Sequence, residues 1–230
     1  KAGDAIEVDQ AALDRQLAEI VRDWRDELRE QLVARHGEEA GLRLANRFGR
    51  ALPAGYIEEV SPEIAADDVD HLAALAGPED LRLSLYRSRR HGGGIRFKFY
   101  RQLDDIPLSD ALPMMENMGL RVISEHPYKV DAEDGVCFIQ DFEVESLQGE
   151  LDIDAIDANF EDAFARIWRG DAENDGFNRL VLAAGLSWKQ VAMLRGYCKY
   201  LLQIGVPFSQ AYVEGTLSRY PLLSRLLVEL

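Results

Sequence analysis

Within residues 95–130 the chain changes hydrophobic period twice, and few folds accommodate that. Ile95, Phe97 and Phe99 alternate with Arg96, Lys98 and Tyr100, the period of a half-buried strand. Leu112, Met115 and Met118 then recur at helical spacing. Ser109 is the expected N-cap, with Asp110 at the positive end of the helix dipole. Pro113 must then lie near the first turn, where a missing N–H costs least. Gly119 can take the left-handed conformation that stops a helix. Leu120 and Val122 return as a strand, and Pro127 marks its fraying end.

The preceding stretch has the same order. Tyr56 to Val60 reads as a short strand, and Ser61 and Pro62 as N-cap and first residue of a helix over 62–76. Ile64, Val69, Leu72 and Leu75 are its apolar positions. After the Gly77-Pro78 turn, Leu81, Leu83 and Leu85 alternate with Arg82, Ser84 and Tyr86 in a second strand. Two such units in tandem predict an α+β chain built on a ferredoxin-like βαββαβ antiparallel sheet, its two helices on one face. Residues 136–145 add a strand with Phe138, Phe142 and Val144 on one side.

Helices flank this centre. Leu13, Leu17, Ile20, Trp24, Leu28 and Leu32 form the apolar stripe of a helix over 9–36, and residues 38–52 continue as a second. Packing of the stripe against the rest of the chain is preferred to a dimer seam, because one short seam specifies little. Pro53 and Gly55 close this arm. From Asp152 the chain is helical again, with Ile153, Ile156, Phe160, Phe164 and Ile167 in one stripe. Ser187 and Gln190 form a capping box, Ser209 caps a further helix and Pro221 starts another. The domains expected are an N-terminal helical arm (1–52), a sheet domain (53–150) and a C-terminal all-α segment (151–230). The final LLSRLLVEL reads as a helix cut in its course, as in a segment of something longer.

Charge and composition exclude several functions. A net charge of −15 repels nucleic acid and anionic membranes, so neither is an expected partner. No apolar run approaches the roughly 20 residues that span a bilayer, and residues 1–10 do not read as a signal peptide, so the cytoplasm is expected. Cys137 and Cys198 are read as buried small hydrophobes, and no CxxC, HExxH or His/Cys cluster suggests a metal. The glycines at 92–94 lie between two strands, which fits a hairpin loop and not a phosphate cradle. Phe97 and Phe99 could stack on RNA bases, but they share a face with Ile95 and are assigned to the core. Arg82, Arg87, Arg89, Arg90, Lys98 and Arg101 are expected to face acidic protein surface. His71 and His126 lack neighbours for nucleophilic catalysis, and Asp104, Asp105, Glu173 and Asp175 are read as loop and cap residues. No GxGxxG follows a strand, so no dinucleotide site is expected.

PLSDALPMMENMGLRVISEHPYKV with the following VCFIQDFEVES, and NDGFNRLVLAAGLSWKQVAMLRGYCKYLLQIGVPFSQAY from Asn174 to Tyr212, resemble the large NAD-specific glutamate dehydrogenases of bacteria. The resemblance covers residues 52–230. It implies an ACT-like regulatory domain followed by the helical lead-in to a catalytic core. The parent reaction is oxidative deamination of L-glutamate to 2-oxoglutarate and ammonia, with NAD as cofactor. The segment with the family's catalytic lysine is not in this chain, so no catalytic residue is assigned and the chain alone is expected to be inactive and to bind no NAD. Implied partners are the rest of the parent chain, further copies in a homo-oligomer, and an amino-acid effector at Val60, Ser61 and Pro62. No glycine-rich effector loop occurs there, so sensing and pure scaffolding both stay open.

Overall fold

The computed structural model describes the backbone of residues 10–88, 93–149 and 151–230, with side chains from Asp23 onward except Asp154. The chain forms two compact units. One comprises residues 1–80, 101–103 and 128–138, the other residues 81–100, 104–127 and 139–230.

The first unit is built on α1 (Gln10–His36), which packs along α2 (Glu38–Phe48) and α4 (Pro62–Ala73), with the short α3 (Ala54–Glu59) between. Gly41 lets α2 approach α1 closely, because a Cβ there would lie 2.5 Å from the Val33 Cα. Trp24, Leu28 and Leu32 are buried, so the described part of the α1 stripe packs within the chain. Leu13, Leu17 and Ile20 lie outside the described side chains. Trp24 meets Tyr56 edge-on at 6.2 Å, and Tyr56 meets Tyr128 at 5.1 Å. The Tyr56 hydroxyl donates to buried Asp68, which satisfies both polar groups inside an aromatic cluster.

The strand expected at Tyr56–Val60 does not form; these residues belong to α3 and its C-cap. Tyr56, Ile57 and Val60 are buried while Glu58 and Glu59 are both exposed. That is one turn of helix, not alternation, and five residues are too few for the period to show in the sequence.

The sheet therefore starts later. Its strands are β1 (Arg82–Arg87), β2 (Ile95–Gln102), β3 (Leu120–Ala132) and β4 (Gly135–Ser146), in the order β1-β2-β4-β3. With α5 (Leu108–Asn117) between β2 and β3, the connectivity is ββαββ and not the expected βαββαβ. β1 and β2 pair antiparallel with Leu83 opposite Phe99 and Leu85 opposite Phe97. Gly93 and Gly94 lie between them, as a hairpin connection requires, and the Ser88 N–H donates to the Gly94 carbonyl.

One face of the sheet carries the core of the second unit. Phe97 packs at about 5 Å against Phe99, Phe160 and Phe164, and Phe99 against Phe142. Phe97 and Phe99 are fully buried core residues, as the pattern predicts. Each such ring contributes roughly 1.5–3 kcal/mol by leaving water. Phe160 and Phe164 come from α6 (Ile153–Trp168), which packs on β1.

α5 begins at Leu108 with Pro107 at the N-cap, and Ser109 does not cap it. Pro113 consequently lies inside the helix and not in its first turn. Gly119 stops it at φ 90, as expected. β3 runs on past Pro127 to Ala132. It is an edge strand by sheet order, where proline's missing N–H costs no ladder bond.

The remaining helices follow the predicted punctuation. A 3-10 turn (Gly176–Asn178) leads into α7 (Arg179–Ala184), and α8 (Trp188–Gln203) opens on a complete Ser187–Gln190 capping box. Ser209 caps α9 (Gln210–Arg219), and Pro221 begins α10 (Pro221–Glu229). Cys137 and Cys198 are buried free thiols. No helix among the described residues is long and apolar enough to cross a membrane.

Candidate functional site

The positions singled out in the sequence are dispersed. Val60, Ser61 and Pro62 form the turn between α3 and α4. The Val60 carbonyl accepts from Trp24 Nε1 at 2.9 Å, and the Ser61 hydroxyl makes no capping bond. Ser124, His126 and Glu143 come close together, but not as a relay. The Ser124 hydroxyl donates to Glu143 at 3.2 Å and stands 3.5 Å from His126 Nε2, so the carboxylate holds the serine directly and not through the histidine.

Much of the expected basic surface is consumed within the chain. Arg96 forms a bidentate pair with buried Asp141, both bonds at 2.9 Å. Lys98 is fully buried, with Nζ 3.8 Å from the same carboxylate and 5.2 Å from the Tyr86 ring centre. Arg87 donates to the carbonyls of Gly93 and Leu151, and Arg101 to that of Pro78. Arg89 and Arg90 lie outside the described residues.

Among the described residues, the turns that lead from strand to helix do not fit a dinucleotide. A pyrophosphate needs close backbone approach at a glycine-rich turn. The turn into α5 instead carries exposed Asp104 and Asp105, which repel a diphosphate, and it is pinned by buried Gln140. The Gln140 amide accepts from the Ile106 N–H at 2.7 Å and donates to its carbonyl at 2.9 Å. The turn into α6 places Asp152 at the N-cap.

A polar network in the helical part was not legible in the sequence. Arg195 of α8, 4% exposed, grips Asp175 with Nε–Oδ2 at 2.7 Å and Nη2–Oδ1 at 2.9 Å. Its Nη2 also donates to Asn178 Oδ1 and to the Glu173 carbonyl. Asp175 in turn accepts from the Phe177 N–H and from Gln210 of α9. Lys199 bonds Glu173 and holds its carboxyl below the usual range. The network ties α8 and α9 to residues 173–178.

Two further features join distant residues. Glu161 of α6 accepts from the Leu85 N–H at 2.7 Å, which caps the outer edge of β1. Burial pushes its carboxyl up to about 7. Arg179 and Arg219 line one open groove of about 680 Å3 in the second unit, with Gln148 and Ser218. Neither the Arg195–Asp175 pair nor the Glu161–Leu85 bond has a local sequence signal, because the partners are 20 and 76 residues apart.

Three models of one family match the chain in succession: glutamate dehydrogenase helical motif 2 over residues 31–75, the glutamate dehydrogenase ACT3 domain over 80–156, and helical motif 3 over 172–230. The chain is 43% identical over 227 residues to an NAD-specific glutamate dehydrogenase of Halomonas elongata. It is 37% identical over 228 residues to one of Pseudomonas aeruginosa and 34% over 222 to one of Mycobacterium tuberculosis. These alignments cover 98%, 98% and 93% of this chain, but only 14%, 14% and 13% of those proteins. The consecutive motifs and the near-complete alignments place this chain in the NAD-specific glutamate dehydrogenase family, as a segment carrying helical motifs 2 and 3 on either side of an ACT3 domain.

Proposed function

We propose that this chain is a non-catalytic regulatory and positioning segment of an NAD-dependent glutamate dehydrogenase that docks, through the exposed face of α8–α10, onto the remainder of a longer polypeptide. In this reading the parent oxidises L-glutamate to 2-oxoglutarate and ammonia with reduction of NAD, in the cytoplasm and as a homo-oligomer. The observation that carries it is the apolar surface of the three helices. Tyr197 and Tyr200 of α8, Ile204 and Phe208 in the connection that follows it, Tyr212 of α9, and Leu222 and Leu226 of α10 are all about half exposed or more, in a chain of net charge −15. Apolar residues repeated on successive exposed helices mark a surface that is covered in the working protein. The alignments, which span a small part of each relative, support the remainder of a longer chain as the occupant.

The antiparallel sheet with α5 and α6 supports a regulatory ACT-like role. We read it as a circularly permuted ferredoxin-like plan: the chain order β1-β2-α5-β3-β4-α6, read cyclically from β4, becomes βαββαβ.

Two measurements test the proposal. Purified chain supplied with glutamate and NAD is expected to form no NADH, and glutamate-dependent absorbance growth would overturn the non-catalytic assignment. Wild-type chain is expected to bind a hydrophobic dye and to self-associate in light scattering, while the Leu222→Glu, Leu226→Glu double variant keeps its helix signal and loses most of both. A wild-type chain that is monomeric and binds no dye would remove the docking face.

A sensing role has one favouring observation, the uncapped Ser61 hydroxyl in the turn with Val60 and Pro62. Saturable amino-acid binding weakened by Ser61→Ala would support it, and binding unchanged in that variant would rule out this turn.

A further inference from the structure

We infer that the exposed face of α8 seats one acidic amphipathic helix of the parent polypeptide, which crosses α8 at Gly196. The inference rests on the docking role proposed above and names the occupant of that surface.

Gly196 is the first argument. Met193, Tyr197, Tyr200 and Ile204 recur at three- and four-residue spacing and are exposed, while Val191, Leu194 and Cys198 on the other side are buried. A helix that is apolar on both sides has neighbours on both in the working protein. Gly196 lies on the exposed stripe, one turn after Met193 and one turn before Tyr200, and is itself exposed. Glycine is the poorest helix former apart from proline, and nothing in the described chain calls for it here, since an added Cβ would meet no atom within 4 Å. Gly41 shows the use of such a position, because its missing side chain lets α1 lie close against α2. Gly196 leaves the same notch on α8, and nothing among the described residues packs into it. Large side chains around a missing one form the hole that takes a knob from a crossing helix.

Charge gives the character of that helix. The chain has 41 acidic residues in 230, yet residues 176–213 contain none. α8 carries Lys189, Arg195 and Lys199 and no carboxylate. Arg195 is engaged inside the fold by Asp175, and Lys199 pairs with Glu173. Lys189 is exposed, with Nζ 5.6 Å from the Trp188 ring centre, and lies one turn before Met193 on the same face. In a chain of net charge −15, this acid-free stretch is where the carboxylates of a partner meet least repulsion.

The parent polypeptide has room to supply the helix. The matched segment is only 14% of the Halomonas elongata relative, so most of such a polypeptide lies outside it. An anionic membrane also takes aromatic, cationic helix faces, but the carboxylates of the rest of the chain repel it.

The test is photocrosslinking in the full-length enzyme that carries this segment, with p-benzoylphenylalanine placed at position 200 or, separately, at position 226, and the products read by mass spectrometry. Position 200 is expected to join a segment outside residues 1–230 whose apolar residues fall at helical spacing and whose Asp and Glu outnumber its Lys and Arg. Gly196→Leu fills the notch. In the purified chain it is expected to keep or raise the melting temperature, because the space is open and leucine is the better helix former. In the full-length enzyme it should cut the crosslink from position 200 by roughly tenfold or more, as overpacking of a close contact does. The acidic-helix seat would be overturned by an unchanged yield in Gly196→Leu, or by a crosslink from position 200 to a basic segment, to a non-helical one or to residues 1–230. In those cases a crosslink from position 226 to the remainder of the polypeptide would leave the docking role standing. Absence of any crosslink to the remainder from both positions would overturn both readings. Co-sedimentation with phosphatidylglycerol vesicles that Tyr200→Glu abolishes would assign the face to a membrane instead.

Discussion

Replacing Arg195 by alanine is expected to destabilise the second unit by about 3–5 kcal/mol, the cost of breaking a buried ion pair from one side. The arginine is 4% exposed and supplies both bonds of a bidentate grip on Asp175. Removing it takes the guanidinium from that buried carboxylate and its donated bonds from the Asn178 side-chain carbonyl and the Glu173 backbone carbonyl, and leaves Asp175 with neutral donors only. Urea unfolding followed by circular dichroism measures the loss. Arg195→Lys should recover less than half of it, because an ammonium cannot reproduce the fork. The Arg195→Ala, Asp175→Asn double variant should lose less than the sum of the singles, since the second change removes the stranded charge. A loss below about 1 kcal/mol for Arg195→Ala would show that water reaches the network and that it does not hold α8 in place.

Glu161 gives the chain a pH dependence of defined sign. Its carboxyl is pushed from an ordinary 4.5 up to about 7, chiefly by burial, with Asp157 adding to the effect and the Leu85 N–H opposing it. Between these values the folded protein holds a proton that the unfolded chain has released. Stability from this group is therefore complete below pH 4.5, falls as pH rises towards 7, and stays low above it. At 1.36 kcal/mol per pH unit the full change is on the order of 3 kcal/mol. Glu161→Gln keeps an oxygen acceptor for the Leu85 N–H and removes the charge. The variant is expected to exceed the wild type in stability by roughly 2 kcal/mol at pH 8 and to match it at pH 4.5. The difference between the two denaturation curves across pH isolates this group from the other carboxylates. A difference that does not change with pH would mean that the carboxyl titrates in solvent as it does in the unfolded chain.

Both predictions rest on contacts that no sequence pattern announces. Arg195 is one arginine on a helix rich in polar residues, and Asp175 sits in the loop-like ENDG twenty positions earlier. Glu161 interrupts no apolar stripe, and its partner is a backbone group 76 residues away. The strand assigned to Tyr56–Val60 failed for a related reason. Five residues with three apolar positions fit either period, and α3 forms because Tyr56 packs against Trp24 and Tyr128 and bonds Asp68. α5 began early because Pro107 could occupy its N-cap, an option not distinguishable locally from Ser109.

What the sequence determined by itself is everything that acts over one or two turns. The alternation of Ile95, Phe97 and Phe99 committed that strand's apolar face to the core, Gly119 ended α5, and Ser187 with Gln190 opened α8. The motifs carried by those elements were also enough to indicate the family. Only the tertiary structure decided the entry point and order of the sheet, the partners of the buried charges, and the meeting of Arg179 with Arg219 in one groove. Local periodicity reports which side of an element is apolar. Which distant side chain meets a buried charge depends on how the elements pack, and that information exists only once the chain has folded.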